Sequence, residues 1–464
     1  MIAPTVFAGQ RLAVVGLGGS GLPTALALQK VGATIVCWDD GEGARSRAAQ
    51  EALELTKPEA MRWSELDGLV LSPGIPLTHP EPHVSVVLAN RHGVPIFGDI
   101  DLFFAQRAAD APDAPVIAIT GTNGKSTTTA LIAHALHELD VDAAMGGNIG
   151  VPVLELPAFA PGRTYVIECS SYQIDLAPGL APTVGVHLNL SEDHLARHGT
   201  MPNYAAVKEK LVTASQHAIV GVDDPWSDAI AERCVKAGKP VTRISVTKSL
   251  PDGLCARGSE IMRSQSGEVE RLFSLEGVES LRGSHNAQNA CAAAASLLAL
   301  GTEPSALSSA LRSFSGLAHR MEPVATWRGM RFVNDSKATN ADAAARALSS
   351  FDKIHWIVGG QAKSDGIEPL NGLFPQIVKA YLVGEAQERF AATLDGKLEF
   401  VRAGTVDVAV QMAADDAAET AAQSATILLS PACASWDQYA SFEARGEAFK
   451  RAVATWIEAA SASV

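Results

Sequence analysis

The residues best suited to chemistry are concentrated in the loop Gly121-Thr122-Asn123-Gly124-Lys125-Ser126-Thr127. A glycine-rich turn leading from an apolar strand into a helix presents backbone N–H groups and a positive helix end to a polyphosphate. Lys125 adds a mobile positive charge near the terminal phosphates, and Ser126 a hydroxyl for Mg2+. The usual spacing is G-x-x-x-x-G-K-[ST]. Counted back from Gly124, its first glycine falls at Ile119, whereas the chain places Gly121 two positions later. An ordinary strand–turn–helix with a lysine at its start is the bland alternative; glycine, lysine and hydroxyl in this setting favour a phosphate site.

Other strand ends carry polar groups. Glu168 closes the apolar run YVIE, where an isolated carboxylate is costly to bury and a metal would offset the cost; a salt-bridged glutamate would offset it equally. LNLSEDHL (188–195) offers Glu192, Asp193 and His194, and His194 at such an edge suits a metal ligand or a proton carrier. His134 and His137, on the helix after the phosphate loop, read as structural. Near the N-terminus, GLGGSG (16–21) followed by Asp39, 18 positions after Gly21, fits a dinucleotide fingerprint, although the same loop suits any nucleotide diphosphate. Two such loops imply two nucleotides, or a nucleotide and a nucleotide-linked substrate. Lys337 in NDSKATN and Lys363 in GGQAKSDG would form a cationic pocket for a carboxylate or phosphate, unless they are simply solvated loop lysines.

These loops need strands and helices to hold them. Apolar runs at 12–16, 34–38, 68–72 and 94–98 each end in, or lead directly into, Gly, Ser or Asp, as in βα units on a parallel sheet. The Ala, Pro and Asp of 108–115 read as a linker. A second series follows at 115–120, 164–170, 184–190 and 217–224, then a more irregular stretch over 241–282 that suggests a small antiparallel piece, then an Ala-rich helix over 286–300. A third series runs through 330–336, 354–360, 379–384, 398–402 and 425–431. The expected fold is α/β, in three consecutive domains at 1–110, 111–315 and 316–464, with ligands at the carboxyl ends of strands.

Length and composition agree. A chain of 464 residues suggests about three domains. The net charge of −14 argues against nucleic acid or an anionic membrane as the main partner. Six scattered cysteines with no C-x-x-C pair suit a reducing cytoplasm, and no apolar run reaches the roughly 18 residues of a membrane span. The N-terminus does not read as a signal peptide.

Taken together the motifs resemble the Mur ligases, ATP-dependent amide ligases of peptidoglycan precursor assembly. TGTNGKST, GNIG (147–150), ECSSYQ (168–173), SEDHL (191–195), SHNAQNACAA (284–293) and HRME (319–322) fit that family in order, so the shortened loop is the family's own version. LSPGIP (71–76), NDSKATN, GGQAKSDG and SPACASWDQ are most similar to the members that add D-glutamate to UDP-N-acetylmuramoyl-L-alanine. The implied fold is a Rossmann-like N-terminal domain for UDP, a P-loop ATPase-like central domain and a Rossmann-like C-terminal domain for the amino acid.

The resemblance implies roles residue by residue. Gly121, Thr122, Asn123, Gly124, Lys125, Ser126 and Thr127 would hold ATP, joined by Asn289, Arg320 and Asp335. Ser126, Glu168 and His194 would ligate Mg2+, and Lys208, as a carbamate, a second Mg2+; Lys125, His194 and Lys208 would be catalytic. Leu17, Ser20, Asp39, Ser72, Gly74, Asn148, Ser170 and Gln173 would bind the UDP-sugar, and Lys337, Thr339, Lys363, Ser435 and Phe442 the D-glutamate. WDDGEG (38–43) departs from relatives that carry a threonine and a basic residue after the aspartate. The expected protein is a monomeric bacterial cytoplasmic enzyme. An NAD-dependent oxidoreductase would use the first loop but leaves residues 120–127, Glu168 and the C-terminal lysines idle. A folylpolyglutamate synthetase lacks a UDP domain.

Overall fold

Short runs of Val, Ile, Leu and Ala that are apolar at every position can be buried on both faces, as parallel strands require. The computed structural model, which describes residues 1–362, 366–419 and 424–462, gathers these runs into three sheets. The first contains β1 (Arg11–Val15), β2 (Thr34–Trp38), β3 (Gly68–Leu71) and β4 (Ile96–Phe97), all parallel in the order β2-β1-β3-β4.

The second sheet has nine strands: β5 (Val116–Thr120), β6 (Ala143–Gly147), β7 (Thr164–Glu168), β8 (Val184–His187), β9 (His217–Gly221), β10 (Val241–Ser245), β11 (Gly253–Arg257), β12 (Glu260–Gln265) and β13 (Glu268–Ser274). Their order is β13-β12-β11-β10-β9-β8-β5-β7-β6. Only β11 to β13 pair antiparallel, so the irregular stretch extends the edge of the parallel sheet. The third sheet orders β14 (Glu322–Trp327), β15 (Met330–Asn334), β16 (Ile354–Gly359), β17 (Ile377–Val383), β18 (Phe400–Gly404) and β19 (Thr426–Leu429) as β14-β15-β19-β16-β17-β18, with only β14 antiparallel.

In the first two sheets the chain reverses its direction of progress beside β1 and β5, and the loop after each carries a glycine motif. Such switch points open a crevice at the carboxyl ends of strands. In the first motif the helix Gly21–Lys30 packs against its own loop so closely that a Cβ on Gly21 would stand 1.7 Å from the Gly16 carbonyl oxygen. No other residue type fits there.

The chain divides into two compact units: 1–276 with 286–313, and 277–285 with 314–464. The first unit carries the first two sheets on one continuous apolar core, including Leu12, Phe103, Tyr165 and Leu211. The second unit takes in the short segment 277–285 and then runs from 314, where the expected domain starts at 316. The stretch 108–115, read as a linker, is loop only from 111 onward. The helix Asp99–Asp110 continues through its first three residues, because Ala-Ala-Asp tolerates helix, and it ends ahead of Pro112. The Ala-rich helix is Ser284–Ala299, with Ala290 to Ala295 fully covered; small side chains allow it to lie deep.

Candidate active site

β5 delivers the phosphate loop. Gly124 takes φ +84° just before the helix Lys125–Glu138, and a Cβ there would come 2.4 Å from Asn289 Oδ1. Lys125 Nζ folds back onto the loop, donating to the carbonyls of Gly121 at 2.9 Å and Thr122 at 2.8 Å. The Thr122 N–H donates to the Asn189 carbonyl, and the Asn123 N–H to Asn189 Oδ1. Asn289 accepts a hydrogen bond from Thr128 Oγ1, one turn into the helix. Ser126 and the buried Thr127 begin that helix.

β7 runs beside β5 with Glu168 opposite Ile119, which sets the carboxylate at the base of the loop. Its Oε1 accepts from Asn148 Nδ2 at 2.7 Å, and its Oε2 is buried with no hydrogen-bond partner. An orphaned carboxylate oxygen beside a phosphate loop is the donor a hard cation wants. Among the described residues no three His, Cys, Asp or Glu side chains gather closely enough to hold a metal by themselves. Mg2+ is ordinarily held by one or two carboxylates, with phosphates and water supplying the rest, so the donor set fits that ion.

Lys208 is buried beneath the same loop, donating to Thr120 Oγ1 at 3.1 Å and to the Gly121 carbonyl at 2.8 Å. Burial, followed by the charge of Lys125, lowers its pKa well below the ordinary lysine value, against the pull of Asp193 and Glu168. The Lys208 Nζ sits 5.0 Å over the ring of Tyr204. His194 takes a left-handed backbone conformation (φ 57°), pairs with Asp193 at 3.3 Å and packs its ring on Tyr172 at 5.1 Å. A non-glycine residue in that conformation is a strain found preferentially at working sites.

At the first switch point Leu17 N–H donates to Asp39 Oδ2 at 2.6 Å, and Ser20 and Ser72 bring their hydroxyls within 3.5 Å of each other. After Asp39 the chain does not supply the basic residue there; Arg45, from the following helix, donates to the carbonyls of Asp39 and Asp40. Arg197, three residues beyond His194, donates to the carbonyls of Pro73, Gly74 and Ile75 and stacks on Tyr172. It thereby joins the Ser72–Gly74 loop to the His194 segment. Ser170 caps the helix Ser171–Asp175 in a reciprocal capping box with Gln173, whose amide in turn donates to the buried Asp99.

In the second unit Asp335 is buried at the end of β15, accepting from Ser430 Oγ and the Met321 N–H, and burial pushes its carboxyl up to about 7 against the opposing pull of Ser430 and Arg320. Lys337 Nζ stands 3.9 Å over the Phe442 ring, and Ser336 Oγ donates to the Phe442 carbonyl. The Thr339 N–H donates to the Lys337 carbonyl, and Ser435 is buried in the loop after β19. Arg445 ties these pieces together through Ser336, Cys433 and Ala434. Lys363 lies outside the described residues.

Residues 120–127, Glu168, His194, Lys208 and Asn289 are thus brought together in the first unit, while Arg320, Asp335 and the amino-acid candidates belong to the second. Asp99, Asn189, Arg197, Asp223, Gln288 and Arg445 were not evident beforehand; each acts through a partner far away in the chain. The six cysteines are buried and free, and no helix among the described residues is long and apolar enough to cross a membrane.

Comparison with known proteins gives one answer. Residues 119–297 match the family model of the Mur ligase middle domain, and residues 319–433 that of the Mur ligase glutamate ligase domain. The UDP-N-acetylmuramoylalanine–D-glutamate ligase of Chelativorans sp. is 54% identical over 453 residues, covering 98% of this chain and 97% of that one. The same ligase of Agrobacterium fabrum is 54% identical over 454 residues, with 98% and 97% covered. In fold, the chain is similar to the UDP-N-acetylmuramate–alanine ligase of Thermotoga maritima (TM-score 0.57, 17% identity, 96% and 99% covered). It is also similar to the MurF ligase of that organism, solved in complex with ADP (TM-score 0.59, 15% identity, 99% and 97% covered).

Proposed function

The chain belongs to the Mur ligase family, and from that premise we propose that it joins D-glutamate to UDP-N-acetylmuramoyl-L-alanine at the expense of ATP, with Mg2+, in peptidoglycan precursor synthesis. The observation that carries the catalytic part is Glu168, whose buried, partnerless Oε2 stands at the base of a phosphate loop. Residues 1–110 take the UDP-sugar through Leu17, Ser20, Asp39, Ser72 and Gly74, with Asn148, Ser170 and Gln173 nearer the reacting end. Residues 111–315 take ATP on 121–127 and Asn289. Residues 316–464 bring Arg320 and Asp335 to ATP and receive D-glutamate on Lys337, Thr339, Lys363, Ser435 and Phe442. The enzyme works as a monomer in the bacterial cytoplasm.

A carboxylate is a poor electrophile. An oxygen of the alanyl carboxylate therefore attacks the γ-phosphorus of ATP and ADP departs, leaving an acyl phosphate. The glutamate amine, having lost its proton, attacks the acyl carbon through a tetrahedral intermediate and inorganic phosphate leaves. The loop N–H groups and Lys125 hold the phosphates in line, and such positioning reaches effective molarities of about 10⁵ M. Bound Mg2+ neutralises charge on the transferring phosphoryl group; Ser126, Glu168 and His194 would hold one ion. Lys208, whose pKa burial holds well below the ordinary lysine value, would add through its unprotonated amine to CO2 with loss of a proton, and the resulting carbamate oxygen would hold the second. Removing CO2 should then depress activity reversibly.

The test is phosphate release from ATP with UDP-N-acetylmuramoyl-L-alanine and D-glutamate, L-glutamate or neither. Release that requires D-glutamate and yields a new amide is expected. Release with neither isomer productive would defeat the substrate assignment.

A further inference from the structure

The phosphate loop is held from outside by a relay of amides. Asn189, just beyond β8, clasps the peptide of Asn123: its Oδ1 accepts the Asn123 N–H at 3.0 Å and its Nδ2 reaches the Asn123 carbonyl at 3.3 Å. The same Nδ2 donates to Gln288 Oε1 at 2.8 Å, and Gln288 Nε2 donates to Asp223 Oδ2 at 3.2 Å. Asp223 follows β9 and is fixed in turn by the hydroxyls of Ser245 and Thr247 and the N–H groups of Val246 and Thr247. Burial opposes its charge, but these bonds outweigh it and keep the carboxyl below its ordinary value.

Both ends of the relay have a fixed polarity. A peptide N–H can only donate and a carboxylate can only accept. With Asn123 at one end and Asp223 at the other, the two amides between them have one consistent orientation, carbonyl toward the loop and NH2 toward the carboxylate. Reversing either would set donor against donor and leave buried groups unsatisfied.

We propose that Asp223 and Gln288 are positioning residues for ATP: they fix the direction of the Asn189 amide, and through it the conformation of the phosphate loop. This rests on the reading of residues 121–127 as the ATP site. Neither residue touches the nucleotide's reacting atoms, so their effect is on how the loop meets phosphate.

The polarity argument supplies its own rescue. Asp223→Asn removes the obligatory acceptor, and Gln288→Leu cuts the relay while leaving Asp223 its other partners. In Asp223→Asn/Gln288→Glu the carboxylate moves one link inward, where it accepts from Asn189 and from the amide introduced at position 223, restoring the direction at the loss of the acceptor that Oδ2 offers the Val246 N–H. Initial rates with each substrate varied in turn should show KM for ATP raised about tenfold in both single variants, the size expected for losing a hydrogen bond to a charged group. KM for the UDP-sugar and for D-glutamate should stay within about twofold, and the double variant should return to within about threefold of the parent on the same scale. A role in stability alone would move all three constants together and would show no rescue. Unchanged KM for ATP in Gln288→Leu, or a double variant no better than Asp223→Asn, overturns the relay. If Asp223→Asn does not fold, Gln288→Leu decides alone. Lys125→Ala separates the two levels: normal ATP saturation in that variant would overturn the ATP site and the relay with it, whereas its inactivity with an unaffected Gln288→Leu overturns the relay only.

Discussion

Glu168 Oε1 accepts a hydrogen bond from Asn148 Nδ2 at 2.7 Å across adjacent strand ends, and that single bond decides which carboxylate oxygen is left for a cation. Asn148 saturates one oxygen and orients the other. Glu168→Gln keeps the size and the Asn148 contact but removes the charge. The expected result is a kcat lower by on the order of 100-fold and a higher Mg2+ requirement, because metal charge stabilisation is worth several kcal/mol. Titrating phosphate release with Mg2+ checks it; an unaltered midpoint and rate would remove Glu168 from the metal site.

Two glycines of similar appearance should behave oppositely. Gly124 combines φ +84° with a Cβ position 2.4 Å from Asn289 Oδ1, whereas Gly19 has nothing within 4 Å of its Cβ position. Gly124→Ala is expected to cost about 1–3 kcal/mol of stability. Gly19→Ala should lie within about 0.5 kcal/mol of the parent, while weakening the UDP-sugar if its backbone approaches the pyrophosphate. Thermal unfolding of the two proteins side by side tests the contrast, and equal midpoints would contradict it.

Such contrasts indicate how much was legible from the chain. The phosphate loop was, because turns that need positive φ write themselves as glycine. Glu168 was, because a charged residue closing an all-apolar strand has few explanations. The partners that orient these groups were not. Arg197 reaches residues more than a hundred positions away, and Asn189 meets Gln288 from 99 away. Neither type nor spacing announces such a pairing; only the topology does, by laying β8 beside β5 and β9 beside β8 so that their ends share one edge of the sheet. The linker reading of 108–115 missed its first three residues for a local reason, since Ala-Ala-Asp extends a helix as readily as it fills a loop.

The buried Asp99 gives a pH signature. Burial pushes its carboxyl up to about 6 from 3.8, with the bonds from Gln173 and the Ile100 N–H pulling the other way. An acid raised in this manner holds its proton more readily folded than unfolded. Its ionisation therefore costs stability above about pH 6, and the cost fades as the pH falls toward about 4. Asp99→Asn should raise the unfolding free energy near pH 7.5 by up to about 3 kcal/mol, with the gain gone near pH 4. Denaturant melts across that range check this, and a difference independent of pH would refute it.

Arg445 spans the loops assigned to D-glutamate, donating to Ser336 Oγ at 3.0 Å and to the carbonyls of Ser336 at 2.9 Å, Cys433 at 3.1 Å and Ala434 at 3.2 Å. A guanidinium fork reaches several carbonyls at once and an ammonium does not. Arg445→Lys is expected to lose about 2 kcal/mol of stability through unsatisfied carbonyls and to raise KM for D-glutamate while leaving KM for ATP near normal. Unfolding in urea and substrate-varied initial rates measure both. A variant as stable as the parent with all constants intact would show that the loops hold themselves.

The short segment 277–285 belongs to the second unit although the chain returns to the first at 286. Ser280 donates to the Phe314 carbonyl, Arg282 to the Ser350 carbonyl, and Glu279 pairs with Arg331. No single cut in the chain therefore yields two self-sufficient pieces. A fragment starting at Phe314 forfeits these ties, and its counterpart ending at Ser313 carries the 277–285 segment with nothing to fold against. Modularity in this protein is a property of its sheets, and the polypeptide itself is not modular: dissecting or transplanting the C-terminal part calls for a graft that restores 277–285, not a truncation.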